Sequence, residues 1–165
     1  MDTLNIIVYF AAATSIIALP FLVINWAKFM RVYPNGFPIK SVGLFVIPAI
    51  IAGLITSFMT TSTRDEALNF IQGLSGNYTV YVNQQPTRNA EKIISALKGI
   101  APYSAHHSYP TKRIRVDVHS DRGKLTLELG RDSANRQEYW VFYPEHGVTS
   151  DNEIGRITTS VFDEL

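Results

Sequence analysis

The sequence predicts a two-span transmembrane helical hairpin followed by a small α+β domain, in the order helix, strand, helix and then three to four mainly antiparallel strands. Three observations carry that prediction. Two long uncharged runs fill the first 63 residues, which hold only Asp2, Lys28, Arg31 and Lys40 as charges. Residues 64–165 by contrast carry 12 Lys/Arg against 13 Asp/Glu, enough chain for a small independent core. Within that second part, apolar residues alternate over two consecutive segments, as in a half-buried β-hairpin.

The first run, Thr3 to Ala27, is uncharged and longer than the apolar region of a signal peptide, and no basic residue precedes it. It reads as an uncleaved span over about 4–26, with Pro20 as a kink that neighbouring helices make tolerable. The loop 28–40 contains the turn Pro34-Asn35-Gly36, and all its charges are positive. Positive residues beside spans favour the cytoplasmic side, so this loop is expected inside and both termini outside, at a plasma or inner membrane. Trp26, Phe29, Tyr33 and Phe37 suit an interfacial aromatic belt.

The second run, Ser41 to Thr63, contains a span at about 42–59, since roughly 20 apolar residues cross a bilayer. Ala49, Gly53 and Ser57 form a ridge of small residues, with Ala11 and Ser15 as the partner surface on the first helix. Packing within the hairpin is the preferred use of this ridge, and pairing with an envelope protein or a second copy is the alternative. Neither span holds an ionisable side chain, which argues against a transporter or channel.

After the spans, Ser62 three before Asp65 and Thr63 three before Glu66 match the capping pattern and predict a fresh helix there. Ala67, Phe70, Ile71 and Leu74 would share its apolar face, and Gly73 and Gly76 end it. Tyr78 to Asn83 is rich in β-formers and predicts a strand closed by a polar turn ending at Pro86. Thr87 is the expected cap of a second helix, Arg88 to Lys98, with Ala90, Ile93, Ile94 and Leu97 as its stripe. Ala101 to Thr111 is a long loop, a place where function often sits.

Ile114, Val116 and Val118 then alternate with Arg113, Arg115, Asp117 and His119, and Leu125, Leu127 and Leu129 repeat the pattern after a polar turn. One face of this hairpin should be wet, with Arg115 opposite Glu128. Glu138 to Tyr143 is apolar on both faces and predicts a central strand. Residues 154–162 fit a strand or a helix, and β-branched density favours the strand.

The chemistry is sparse. Without cysteine, disulfides, thiolate catalysis and Cys-ligated metals are excluded. The near-neutral charge of 64–165 argues against nucleic acid, and no phosphate loop or cofactor motif occurs. His106, His107, His119 and His146 lack zinc spacing, so no metal site is expected. The candidate catalytic residues are His119, Asp132 and Ser133, although Arg131-Asp132-Ser133 suits a turn in which Asp132 accepts backbone N–H groups. The candidate binding residues are His106, His107, Tyr109, Lys112, Arg113 and Arg115, a basic cluster with an aromatic beside it.

The favoured function is therefore a membrane-anchored envelope protein that presents a non-enzymatic binding domain on the extracytoplasmic side. One alternative is a membrane-tethered hydrolase-like enzyme using loop 101–111 with the His119/Asp132 region, which requires these to converge on one pocket. The other is an immunity or exclusion factor acting through its spans.

Overall fold

The computed structural model describes residues 3–31, 39–102, 107–145 and 152–163. The turn Pro34-Asn35-Gly36, His106 and His146 lie outside them. Two long apolar helices, α1 (Thr3–Arg31) and α2 (Ile39–Gln72), precede a six-stranded antiparallel sheet that carries one further helix. Both long helices run through their prolines, Pro20 and Pro48. By length and composition each could cross a membrane. The chain divides into two compact units between Phe58 and Met59.

In the first unit α1 turns Ala11, Ser15 and Ala18 inward. The Ser15 hydroxyl donates to the Phe45 carbonyl at 3.3 Å, and the Asn25 amide donates to the Ser41 hydroxyl at 2.7 Å. Ala11 and Ser15 thus supply the close-approach surface that small residues permit. The ridge Ala49, Gly53 and Ser57 does not answer them, because all three are exposed and a Cβ at Gly53 would meet nothing within 4 Å. Helical spacing is the reason: the half-covered residues of α2 include Phe45, Pro48, Ala52 and Ile55, about a third of a turn away from the ridge.

The second unit begins inside α2. No new helix starts at Ser62 or Thr63, since α2 continues unbroken to Gln72. Nothing between Met59 and Glu66 breaks a helix, and extending an existing one costs far less than nucleating another. Hydroxyls that would cap exposed N–H groups therefore find those groups already bonded to the preceding turn. Ala67 and Ile71, fully buried, join the core.

The strands are β1 (Tyr78–Val82), β2 (Gln85–Pro86), β3 (Pro110–Ser120), β4 (Gly123–Asp132), β5 (Glu138–Phe142) and β6 (Glu153–Thr158), ordered β2-β1-β3-β4-β5-β6. β2 was not foreseen. Asn83 and Gln84 hold positive φ, the twist a two-residue hairpin needs, and fold the expected turn back onto β1. Helix α3 (Ala90–Leu97) buries Ile93, Ile94 and Leu97. Its N-cap is Asn89 and not Thr87, whose hydroxyl instead accepts the Asn89 N–H at 3.1 Å.

Ile114, Val116, Val118, Leu125, Leu127, Leu129, Tyr139 and Val141 face the core with these helices, as the period-two pattern predicts. β5 lies between β4 and β6, and residues 153–158 are strand while 161–163 turn, which carries Phe162 into the core against Tyr139. Both sheet edges are blunted. β2 has only two residues, and the outer side of β6 is met by Ala101, which exchanges two backbone hydrogen bonds with Arg156. Gly155 permits that contact, because a Cβ there would fall 2.3 Å from the Ala101 carbonyl oxygen.

Candidate functional site

Of the sequence candidates that lie in strands, Arg113, Arg115, His119 and Asp132 fall on the face of the sheet turned away from the core. Register fixes them. His119 pairs with Lys124 beside the β3–β4 turn, whereas Asp132 pairs with Pro110 at the other end of the hairpin. Nine residues of strand separate the two ends, roughly 30 Å at the rise of an extended chain. His119 and the Asp132–Ser133 pair therefore do not meet. His119 packs against Tyr81 in a tilted arrangement, with the ring centroids 4.9 Å apart.

Asp132 is occupied as a turn anchor. One carboxylate oxygen accepts the Ala134 and Asn135 N–H groups at 2.8 and 3.0 Å, and the other accepts the Ser108 hydroxyl and the Trp140 indole N–H at 2.5 and 2.7 Å. Burial pushes its carboxyl up, but these four donors prevail and hold it well below the usual carboxylate range. Ser133 uses its hydroxyl to accept the Tyr109 N–H and its own N–H to donate to the Tyr109 carbonyl. Such an arrangement fixes chain and leaves neither group poised as a nucleophile or base.

A concave cleft of about 610 Å³ opens elsewhere, lined by Gly76 to Thr79 and Arg88 to Lys92. None of the candidate residues borders it. Among the described residues, no three His, Asp or Glu side chains gather as metal ligands.

What the open face does assemble is a lattice of cations and rings. The Arg113 guanidinium lies over the Phe142 ring at 3.9 Å, Phe142 and Trp140 are near-parallel at 14°, and the Arg156 guanidinium lies over Trp140 at 3.9 Å. Arg156 also reaches Glu138 at 2.8 Å and Glu153 at 3.3 Å. Gly130 makes this possible. It pairs with both Arg113 and Trp140, and its missing side chain leaves a gap in the row that Pro110 fills.

Toward the hairpin turn, Arg115 and Lys124 both lie across Asp117, which also accepts the Thr126 hydroxyl at 2.7 Å. Burial raises the Asp117 carboxyl, yet the hydrogen bonds from Arg115, Thr126 and Lys124 outweigh it and lower the value to about 2. The expected ion pair between Arg115 and Glu128 is replaced. Although the two residues are opposite in register, Arg115 turns to its same-face neighbour Asp117, and Glu128 meets Arg113 at 3.5 Å.

Of the binding candidates, His107, Tyr109, Lys112, Arg113 and Arg115 are all exposed at or beside β3. Arg113 lies on the open face, whereas Tyr109 stands just before β3 and is bonded through its backbone to Ser133. Pro110 and Arg156, which help to hold the Arg113 end of that face together, were not identified from sequence. The alternation of Trp140 and Phe142 within β5 is the pattern that places both rings on the face of Arg113. Comparison with known proteins returns no match to a family model, a curated protein or a solved structure.

Proposed function

We propose that this chain is a membrane-anchored protein whose α1 and α2 span the bilayer as a hairpin and whose sheet domain binds another envelope component on the extracytoplasmic side. The observation that carries the reading is where exposed apolar surface lies. Every exposed large apolar side chain among the described residues belongs to α1 or to α2 up to Phe58, with Tyr109 the one exception. Phe10, Ile16, Ile39 and Leu54 are each about two-thirds exposed or more, a disposition that suits contact with acyl chains and is costly in water. Lys28, Arg31 and Lys40 support the orientation with the interhelical loop inside.

Binding is favoured over catalysis because the open face holds satisfied ion pairs and stacked rings, and because His119 stands far from Asp132 and Ser133. Arg, Trp and Tyr side chains of this kind dominate recognition surfaces. The exposed ridge Ala49, Gly53 and Ser57 supports a subsidiary reading, in which a second helix approaches α2 within the bilayer.

The test is sidedness. In this cysteine-free chain, Ser95→Cys places one thiol on the exposed side of α3. A membrane-impermeant maleimide should label it on intact cells, and alkaline carbonate should leave the protein in the membrane fraction. Labelling only after lysis would move the domain to the cytoplasm. Release by carbonate would remove the membrane anchor altogether.

A further inference from the structure

We propose that the cleft between the start of β1 and the start of α3 binds a neutral glycan chain. The inference rests on the binding reading above and names both the site and the class of ligand. At about 610 Å³ the cleft lies within the range of ligand sites, roughly 300–1,000 Å³. Its two walls are tied together. The Thr87 N–H, ahead of α3, donates to the Val80 carbonyl of β1 at 3.0 Å, and Ile93, Ile94 and Leu97 seat the helix in the core. A cleft whose walls are already fixed has little freedom to lose when a ligand enters.

Its lining differs from the polar surface of the sheet. On the open face Asp117, Asp132 and Arg156 are each engaged by several partners within the fold. Around the cleft, Asn77, Arg88, Glu91 and Lys92 are exposed, and among the described residues their side chains make no hydrogen bond or ion pair. The Asn89 side chain, at the cap position of α3, makes no capping bond either. Tyr78 packs against the core and contributes an aromatic ring to the lining. Unengaged polar groups converging on one concavity mark a binding site.

The mixture of groups selects the ligand. Glu91 opposes an anion, whereas Arg88 and Lys92 oppose a cation. A guanidinium and an ammonium only donate, an ionised carboxylate only accepts, and the two amides do both. A ligand that answers all five must therefore donate and accept at closely spaced positions without net charge. Neighbouring hydroxyls on a sugar ring do this, and the apolar C–H face of the same ring suits the body of a tyrosine.

Calorimetric titration of the full chain in phosphatidylcholine nanodiscs with maltotetraose, cellotetraose and tetra-N-acetylchitotetraose tests this. At least one should bind saturably with a Kd of about 1 mM or below, and added salt should leave that binding unchanged, since no charged ligand is involved. Asn77→Ala and Glu91→Ala should each weaken it about tenfold, as the loss of a hydrogen-bonding partner does. Lys98→Gln, exposed on α3 but outside the cleft, should not. The substituted side chains make no bond within the fold, so the variants should unfold as the parent does.

Absence of saturable binding by all three sugars at millimolar concentration would overturn the proposal, as would binding unchanged in both cleft variants. Tighter, salt-sensitive binding of inorganic phosphate that is lost in Arg88→Gln would also overturn it, in favour of an anion site. Nanodiscs leave both sides of the bilayer accessible, so these outcomes are independent of the sidedness test.

Discussion

Pro110 lies in the space that a side chain on Gly130 would occupy, such that a Cβ at Gly130 would come within 2.6 Å of the Pro110 Cβ and 3.2 Å of the Phe142 ring. The register between β3 and β4 slips between Pro110 and Arg113, and that slip brings the proline over the glycine. A glycine that looks unremarkable in the sequence thus sets the geometry of the candidate site.

Gly130→Ala should therefore destabilise the sheet unit by about 1–3 kcal/mol through overpacking. Because the methyl would meet a proline ring and a buried aromatic, neither of which can swing aside, relief requires the start of β3 to lift. Chemical denaturation of the detergent-solubilised chain measures the cost. Faster amide exchange at Tyr109 and Ser133 than in the parent would locate the movement at the start of β3.

The acid side of the stability profile is set by Asp117 and Asp132. Asp117 ionises at about 2 in the folded chain against an ordinary value of 3.8, so its stabilising contribution is complete above the ordinary value and is lost as pH falls toward 2. The difference corresponds to something on the order of 2 kcal/mol. Asp132 is depressed further, and its contribution disappears at still lower pH. Denaturant midpoints taken between pH 5 and pH 2 should fall in the parent chain, and Asp117→Asn should flatten that fall while lowering stability at neutral pH.

Two glycines with crowded neighbours should respond differently to the same substitution. At Gly155 a new Cβ meets the Ala101 carbonyl at 2.3 Å, a backbone atom with no freedom to move without breaking the Ala101–Arg156 pair. At Gly73 it meets the end of the Arg122 guanidinium, which donates to the Asn69 carbonyl near the end of α2 at 3.4 Å and can rotate away. Gly155→Ala should cost about 1–3 kcal/mol and unprotect the outer edge of β6, while Gly73→Ala should cost less than about 1 kcal/mol. Thermal unfolding of the two variants side by side decides it, and equal losses would mean that the Ala101 strand addition is not rigid.

Periodicity made the sheet legible. The alternation in β3 and β4, the double-faced apolar run of β5 and the β-branched run of β6 each gave the observed element, because strand burial repeats every two residues and side-chain identity reports it directly. Other features depend on contacts between residues distant in sequence. β2 exists only because Asn83 and Gln84 adopt positive φ, and Asn83 is held there by bonds to the backbone of Arg115. Arg115 and Glu128 were matched correctly in register, but the identity of the ion pairs turned on Asp117, two residues along the same face. Arg113 was recognised as a candidate, and the alternation in β5 puts Trp140 and Phe142 on its face, whereas Gly130 and Arg156 carry no local pattern that ties them to it.

The sharpest test of α2 exploits the capping pattern that misdirects the sequence reading. If Thr63 capped a new helix, Arg64 would be its first residue, where proline is well tolerated because its missing N–H has no partner anyway. In the continuous helix from Ile39 to Gln72, Arg64 is an interior residue, and proline there removes a hydrogen bond and clashes with the preceding turn. Arg64 also donates to the Ile154 carbonyl at 3.4 Å, so the loss of its side chain must be measured separately. Arg64→Ala should cost under about 1 kcal/mol, as a single long, partly exposed hydrogen bond would, and Arg64→Pro about 3 kcal/mol more. Ala67 and Ile71 lie just beyond the break and are buried in the core, so the damage should register in the denaturation of the sheet unit. Equal stability of the proline and alanine variants would restore a helix boundary at Thr63.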